Sequence, residues 1–177
     1  MDVIEAIHGR RSIRAFAPRL VARDLVEAVI LDAAQAPPPF RDQVPWTFSV
    51  VQGVERIADY GAQATAHARA NRDGPPGSIW LDRPDVKVFW DAPVVIVISG
   101  QLADCCRAGQ NMMLSAHARG LGTCWVGSPL PWLRTPEAMA EFRIPAGLVP
   151  QVAMCLGYAS EVPPPPPRGQ PEIIWVD

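Results

Sequence analysis

The run GQNMMLSAHARGLGTCWVG, residues 109–127, restricts the fold more than any other part of the chain, because it reads as a buried helix passing directly into a buried strand. Met112, Met113, Ala116 and Gly109 keep one side small or apolar at helical spacing, while Asn111, Ser115 and Arg119 are predicted to face outward. The period then changes. Gly120 and Gly122 flank Leu121 where the helix should end, and Thr123 to Val126 supply β-branched and aromatic residues suited to a strand. A small-residue helix feeding a glycine corner lets backbone approach a flat ligand. The glycines follow a helix instead of a strand, and no G-x-G-x-x-G is present, so the Rossmann alternative is discarded.

The remaining periodicities build a sheet and helices around this unit. Residues 94–98 form a continuous apolar run, as expected of a central strand covered on both faces, and residues 46–51 and 151–156 read as further strands. Asp2 is placed to cap a first helix whose apolar stripe is Val3, Ile4 and Ile7 and whose end is Gly9. Helices are also predicted over 21–36 and 54–69, and Thr135 followed by Pro136 marks a short helix through Phe142. With 177 residues, 49% of them hydrophobic, the chain can bury one sizeable core, so residues 1–177 are expected to form a single domain. Its proline-rich segment near residue 165 forms neither helix nor ladder, which makes residues 159–177 an extended C-terminal arm. Residues 173–176 regain strand character at its end, which suggests an arm exchanged with a second copy.

Charge and cysteine usage narrow the chemistry. A formal net charge of -2 argues against a nucleic-acid binder, while leaving room for a local basic pocket that holds one phosphate. The N-terminus lacks the apolar core of a signal peptide, and no apolar run approaches the ~20 residues of a spanning helix, so a soluble, cytoplasmic protein is expected. Cys105, Cys106, Cys124 and Cys155 show no metal-type spacing, and His8, His67 and His117 have no acidic or cysteine partner at ligand spacing; no metal is expected. Arg10, Arg11, Ser12 and Arg14 form the one basic cluster. It has two readings: cations stabilising a helix C-terminus, or a phosphate clamp on an extended segment anchored by Ile13 and Phe16. The glycine- and proline-punctuated stretch 72–85 reads either as a lid or as a surface loop whose Ile79, Trp80 and Leu81 cover the core.

Taken in order, RRSIRAF, the AP before a polar loop and PW, DAPVVIVIS, QNMMLSAHARGLGTCWVG, and LGY before a proline-rich PPR resemble the FMN-dependent nitroreductases over nearly the whole chain. The resemblance implies an α+β fold: a central mixed, mostly antiparallel sheet flanked by helices in a three-layer sandwich. It also implies a homodimer with FMN at the subunit interface. NAD(P)H would be the co-substrate and a nitroaromatic, quinone or similar electron-poor compound the acceptor, in a ping-pong mechanism. On this resemblance Arg10, Arg11, Ser12, Arg14 and Arg168 meet the flavin phosphate. The backbone of Thr123, Cys124 and Trp125, with Gly127 beyond, approaches the isoalloxazine ring.

One loop departs from the family. Many members read A-P-S-x-x-N-x-Q-P-W where this chain has APPPFRDQVPW, which is one residue longer and puts Pro38 at the serine position. Counting back from Trp46 gives Asp42 and Val44 the asparagine and glutamine places, and counting forward from Ala36 gives them to Arg41 and Gln43. Chemistry favours Arg41 or Gln43, since an ionised Asp42 only accepts hydrogen bonds. Flavin carries the hydride chemistry, so no catalytic side chain is required, and Phe40, Trp80 and Trp125 are candidate walls of a stacking cleft. Two alternatives stand beside the leading reading: a specialised flavin dehydrogenase or dehalogenase of the same fold, and a flavin- or ligand-binding protein with little turnover.

Overall fold

In the computed structural model, residues 1–38, 46–71 and 83–176 are described. The first half of the chain gives α1 (Val3–Gly9), α2 (Arg23–Ala33), β1 (Trp46–Gln52), α3 (Val54–Ala70) and β2 (Val94–Gly100). The second half gives α4 (Leu102–Ala118), β3 (Gly122–Val126), α5 (Leu130–Leu133), α6 (Pro136–Glu141) and β4 (Pro150–Gly157). The strands order as β1-β2-β4-β3, and every ladder between them is antiparallel. The sheet becomes mixed through the N-terminal segment, where Ser12 forms a parallel bridge with Thr123.

The apolar run does place β2 at the centre. Val94 to Ile98 are all within 1% of complete burial, which contributes about 1.5–3 kcal/mol per side chain against an exposed reference. Their alternation divides the core in two. Val94, Ile96 and Ile98 join α2 and α4 on one face, including Val29, Ala108, Met112 and Ala116. Val95 and Val97 join α3, α5 and α6 on the other, including Ile57, Tyr60, Trp132 and Phe142. The resulting layers are helix, sheet and helix.

The glycine corner works by close approach. A Cβ on Gly122 would lie 2.5 Å from Cγ1 of Ile13, and one on Gly157 would lie 2.7 Å from Pro93 and 2.9 Å from Phe16. Their absence lets residues 12–17 run against the β3–β4 end of the sheet. Ile13 N donates to Thr123 O at 2.8 Å, Ala17 N to Tyr158 O at 2.8 Å, and Ser160 N to Ala15 O at 3.0 Å.

Several expectations need correction. Ser115 is buried instead of outward-facing, because its hydroxyl donates to Asp32 Oδ2 at 2.7 Å and ties α4 to α2. The α1 stripe is uncovered: Val3, Ile4 and Ile7 are 63%, 58% and 50% exposed, and Ala6 is the buried residue of that two-turn helix. Residues 173–176 form no strand within the protomer, and Trp175 is 83% exposed. Helix α5 was not anticipated, since its LPWL sequence is too short for periodicity to register.

Candidate active site

The basic cluster is organised by the end of α1. A capping box between Asp2 and Glu5 starts this helix, and it stops at Gly9 with Arg10 already extended at φ -60 and ψ 135. Arg11 folds back over the end: its Nη1 donates to the carbonyls of His8 at 2.7 Å, Gly9 at 3.0 Å and Arg10 at 3.0 Å. The helix-capping reading therefore holds for Arg11, which is committed to carbonyls the helix leaves open. Arg10 and Arg14 are not committed in this way. Neither forms an ion pair with a carboxylate among the described residues, and the same is true of Arg168.

Arg168, from the opposite end of the chain, lies near enough to Arg10 for its charge to act there. Burial lowers the Arg10 pKa below its ordinary value, and the nearby charges of Arg168 and then Arg11 lower it further. Such a concentration of like charge makes the local potential positive. It borders a cavity of about 300 Å³ lined by Arg10, Arg11, His117 and Thr123, with space left by Gly9, Gly120 and Gly122. Ser12 sits beside it, half-buried, paired with Thr123.

At the other end of the same segment, the Arg14 guanidinium lies over the Trp90 ring at 5.8 Å and reaches the Cys124 thiol. Trp90 in turn lines a larger cavity, about 590 Å³, with Val86, Val88, Val126 and Ser128. Its rim cations are neutralised in place: Arg83 pairs with Asp85 at 2.9 Å, and Lys87 with Asp91. Both Trp90 and Asp91 have left-handed backbone, at φ 56 and 53, which costs on the order of 1–3 kcal/mol per residue and marks a turn held by its surroundings. A cavity bordered by arginine cations thus lies at one end of residues 10–14, and a larger one is approached from the other end through Trp90; apolar atoms make up most of the lining of both.

The β3 residues divide between packing and lining. Trp125 turns its ring onto α4, where a Cβ on Gly109 would sit 3.0 Å away, so the tryptophan serves the core instead of walling the cleft. Cys124 is buried on the opposite face, directly across the ladder from Cys155. Burial pushes its thiol pKa up, and Arg14 opposes this in part. The Thr123 carbonyl is taken by Ile13 N. Gly127 follows the strand, is exposed, and has open space where a Cβ would stand. Pro38 is exposed at the edge of its described segment, while Phe40, Arg41, Gln43 and Trp80 lie outside the described residues. Sequence reasoning missed Trp90, which carried no periodic signal. It also set aside His117, for which only the room left by Gly9 was a clue.

The pattern that describes the Nitroreductase family matches residues 7–158, which includes all three arginines of the 10–14 segment and all four strands. The chain belongs to the nitroreductase family. A relative from Methanothermobacter thermautotrophicus, which carries the provisional name NADH dehydrogenase/NAD(P)H nitroreductase, is 35% identical over 164 residues, covering 92% of this chain and 80% of that protein. The fold matches a Bacteroides fragilis nitroreductase solved with bound FMN at TM-score 0.87 and 21% identity, over the full length of both chains. A Desulfitobacterium hafniense nitroreductase with bound FMN gives 0.85 and 24%, also over both full lengths. Arg168 lies beyond the span that the family pattern matches.

Proposed function

We propose that this chain binds FMN and acts as an NAD(P)H-dependent oxidoreductase on a nitroaromatic, quinone or similar electron-poor aromatic acceptor, by a ping-pong mechanism. The observation that carries the reading is a cavity bordered by Arg10 and Arg11, with no carboxylate in its described lining and the charge of Arg168 near, at one end of a segment whose Arg14 stacks on Trp90 at the edge of a larger, mainly apolar cavity. A phosphate monoester joined to a planar ring system has this same division of charge.

In this reading Arg10 and Arg168 hold the phosphate, with the Ser12 hydroxyl beside them, and Arg14 spans from that end to the ring pocket. Bidentate guanidinium contacts fix an oxyanion in orientation as well as position. The backbone of Thr123, Cys124, Trp125 and Gly127 forms the edge against the ring, and Pro38, Arg41 and Gln43 belong to the loop that completes the site. Bound flavin supplies hydride transfer between nicotinamide and acceptor. The protein's own work is to bind, orient and keep water from the ring; the Cys124 thiol stays protonated there, because burial raises its pKa.

The working unit in this proposal is a homodimer built from chains of one domain, residues 1–177, with FMN at the interface. Three features support it: the uncovered Val3, Ile4 and Ile7 stripe, the outer edge of β1, which pairs only with β2 among the described strands, and the exposed apolar end of the arm. Among the described residues no helix is long and apolar enough to cross a membrane. The four free cysteines suit a reducing compartment, which favours a cytoplasmic location. Pro38 in place of the usual serine favours a second reading, a specialised flavin dehydrogenase or dehalogenase, because this loop shapes what reaches the ring.

Purified protein is expected to be yellow, with a flavin band that NADH or NADPH bleaches under anaerobic conditions. Arg10→Ala and Arg168→Ala should each weaken FMN binding by about ten- to a hundredfold, the loss of one charge-assisted contact, and leave riboflavin binding nearly unchanged. Equal losses for both ligands would remove these arginines from the phosphate site.

A further inference from the structure

We propose that His117 is an additional ligand of the flavin phosphate and takes up a proton when that phosphate binds. The inference rests on the FMN reading above and adds a residue and a pH linkage to it. His117 stands in the last turn of α4 and lines the cationic cavity beside Arg10 and Arg11. Its ring is packed so closely against the end of α1 that a Cβ on Gly9 would lie 2.8 Å from Nε2. Neither imidazole nitrogen has a hydrogen-bond partner among the described residues, and neither is an orphan sealed in the core. The ring therefore reaches the cavity with hydrogen-bonding capacity that no described residue uses. Arg11, the nearest alternative donor, already spends its Nη1 on three carbonyls.

The charges around His117 define the sign of the effect. Burial lowers its pKa below the ordinary histidine value, and Arg10 and Arg11, just beyond α1, lower it further by repelling a proton. Arg168 acts on Arg10 from the arm, and Met1 also lines the cavity. On α4 itself, Arg119 is already paired with Asp32. No carboxylate lines the cavity among the described residues. His117 is therefore neutral at pH 7 in the free protein, and a phosphate dianion placed among these cations reverses the local field and favours imidazolium. Binding then draws in a proton, and FMN affinity rises as pH falls from 8 toward 6.5. The phosphate's own second ionisation, near pKa 6, would release protons on binding as the dianion and so has the opposite sign.

The test is calorimetric titration of the apoprotein at pH 7 in two buffers of different ionisation enthalpy, with FMN, riboflavin and inorganic phosphate as separate ligands. Wild type is expected to take up a fraction of a proton with FMN, the same with saturating phosphate, and none with riboflavin. In His117→Gln the uptake should vanish. The FMN affinity gain between pH 8 and 6.5, expected to be roughly fivefold for one newly charged contact, should fall close to one. A second readout needs no variant: the imidazole resonance of His117 in wild type should titrate at higher pH with FMN bound than with riboflavin bound. Selective FMN binding with no proton uptake, or uptake that survives in His117→Gln, would overturn the role of His117 and leave the phosphate site standing. Equal affinity for FMN and riboflavin would overturn the phosphate site itself, and the proposal with it.

Discussion

Individual residues in this chain are assigned by what already holds them. Arg10 and Arg11 are adjacent and chemically identical, yet Arg11 closes the end of α1 while Arg10 keeps its guanidinium for an anion. Arg11→Ala should therefore lower stability by about 0.5–1.5 kcal/mol, the typical net worth of a lost hydrogen-bonding side chain, and change FMN affinity less than Arg10→Ala does. Gly122 is exacting because it meets Ile13. Gly122→Ala inserts a Cβ 2.5 Å from Ile13 Cγ1 in a position where Ile13 is 4% exposed, so Ile13 must move and Ser12 and Arg14 with it. Chemical denaturation should show a loss of about 1–3 kcal/mol, accompanied by weaker FMN binding. The thiols make a third case. Burial pushes Cys105 up to about 12 and raises Cys124 and Cys155 above the ordinary thiol value of 9.0. The unfolded chain ionises near that ordinary value, whereas the folded protein holds these protons longer. Their contribution to stability is complete below about pH 9 and declines as pH rises beyond it, because the native state then binds more protons than the unfolded one. A thiol reagent at neutral pH should label the half-buried Cys106 first and the other three only on unfolding, as peptide mapping would show.

At the scale of elements, the joint between α2 and α4 depends on a polar knot set in an apolar contact. Asp32 Oδ2 accepts from Ser115 Oγ at 2.7 Å and pairs with Arg119 Nη1 at 2.6 Å. Ser115→Ala should cost about 1 kcal/mol in denaturant melts, since Asp32 keeps its arginine and is partly in solvent. This joint also shows why some of the structure was readable and some was not. The apolar run of β2, the small face of α4 and the Thr135–Pro136 start of α6 are written in local periodicity or capping chemistry, and they appear as expected. Ser115 was misplaced because its partner stands 83 positions earlier, where no local pattern points. The α1 stripe was legible as amphipathic, but periodicity identifies an apolar face without naming what covers it. Within the site, the alternation of Ser12, Ile13, Arg14, Ala15 and Phe16 was legible as an extended segment anchored on its apolar side, and Ile13 is buried as that reading requires. The approach of Arg168 was suggested by family resemblance alone, and His117 depended on a helix end meeting a glycine more than a hundred residues away.

The whole molecule combines a deeply buried three-layer core with apolar surface that the protomer leaves open. Val3, Ile4 and Ile7 on α1, together with Ile173 to Val176 at the end of the arm, are too many exposed apolar side chains to be incidental in a chain that buries β2 so completely. Sedimentation is expected to give a dimer at micromolar concentration, and Ile4→Asp with Ile7→Asp should shift it toward monomer; a wild-type monomer would contradict the proposed assembly. If FMN lies at the interface, the same variant should lose flavin as it dissociates. In the proposed function, two arginines from opposite ends of the chain bind the phosphate of a flavin that nicotinamide then reduces. The most direct measurement is a parallel titration of apoprotein with FMN and riboflavin, followed by anaerobic addition of NADH or NADPH to the FMN complex. The expected result is FMN bound about a hundredfold or more tightly than riboflavin, with a flavin band that nicotinamide bleaches. Indifference to the phosphate, or an FMN complex that neither nicotinamide reduces, would contradict it.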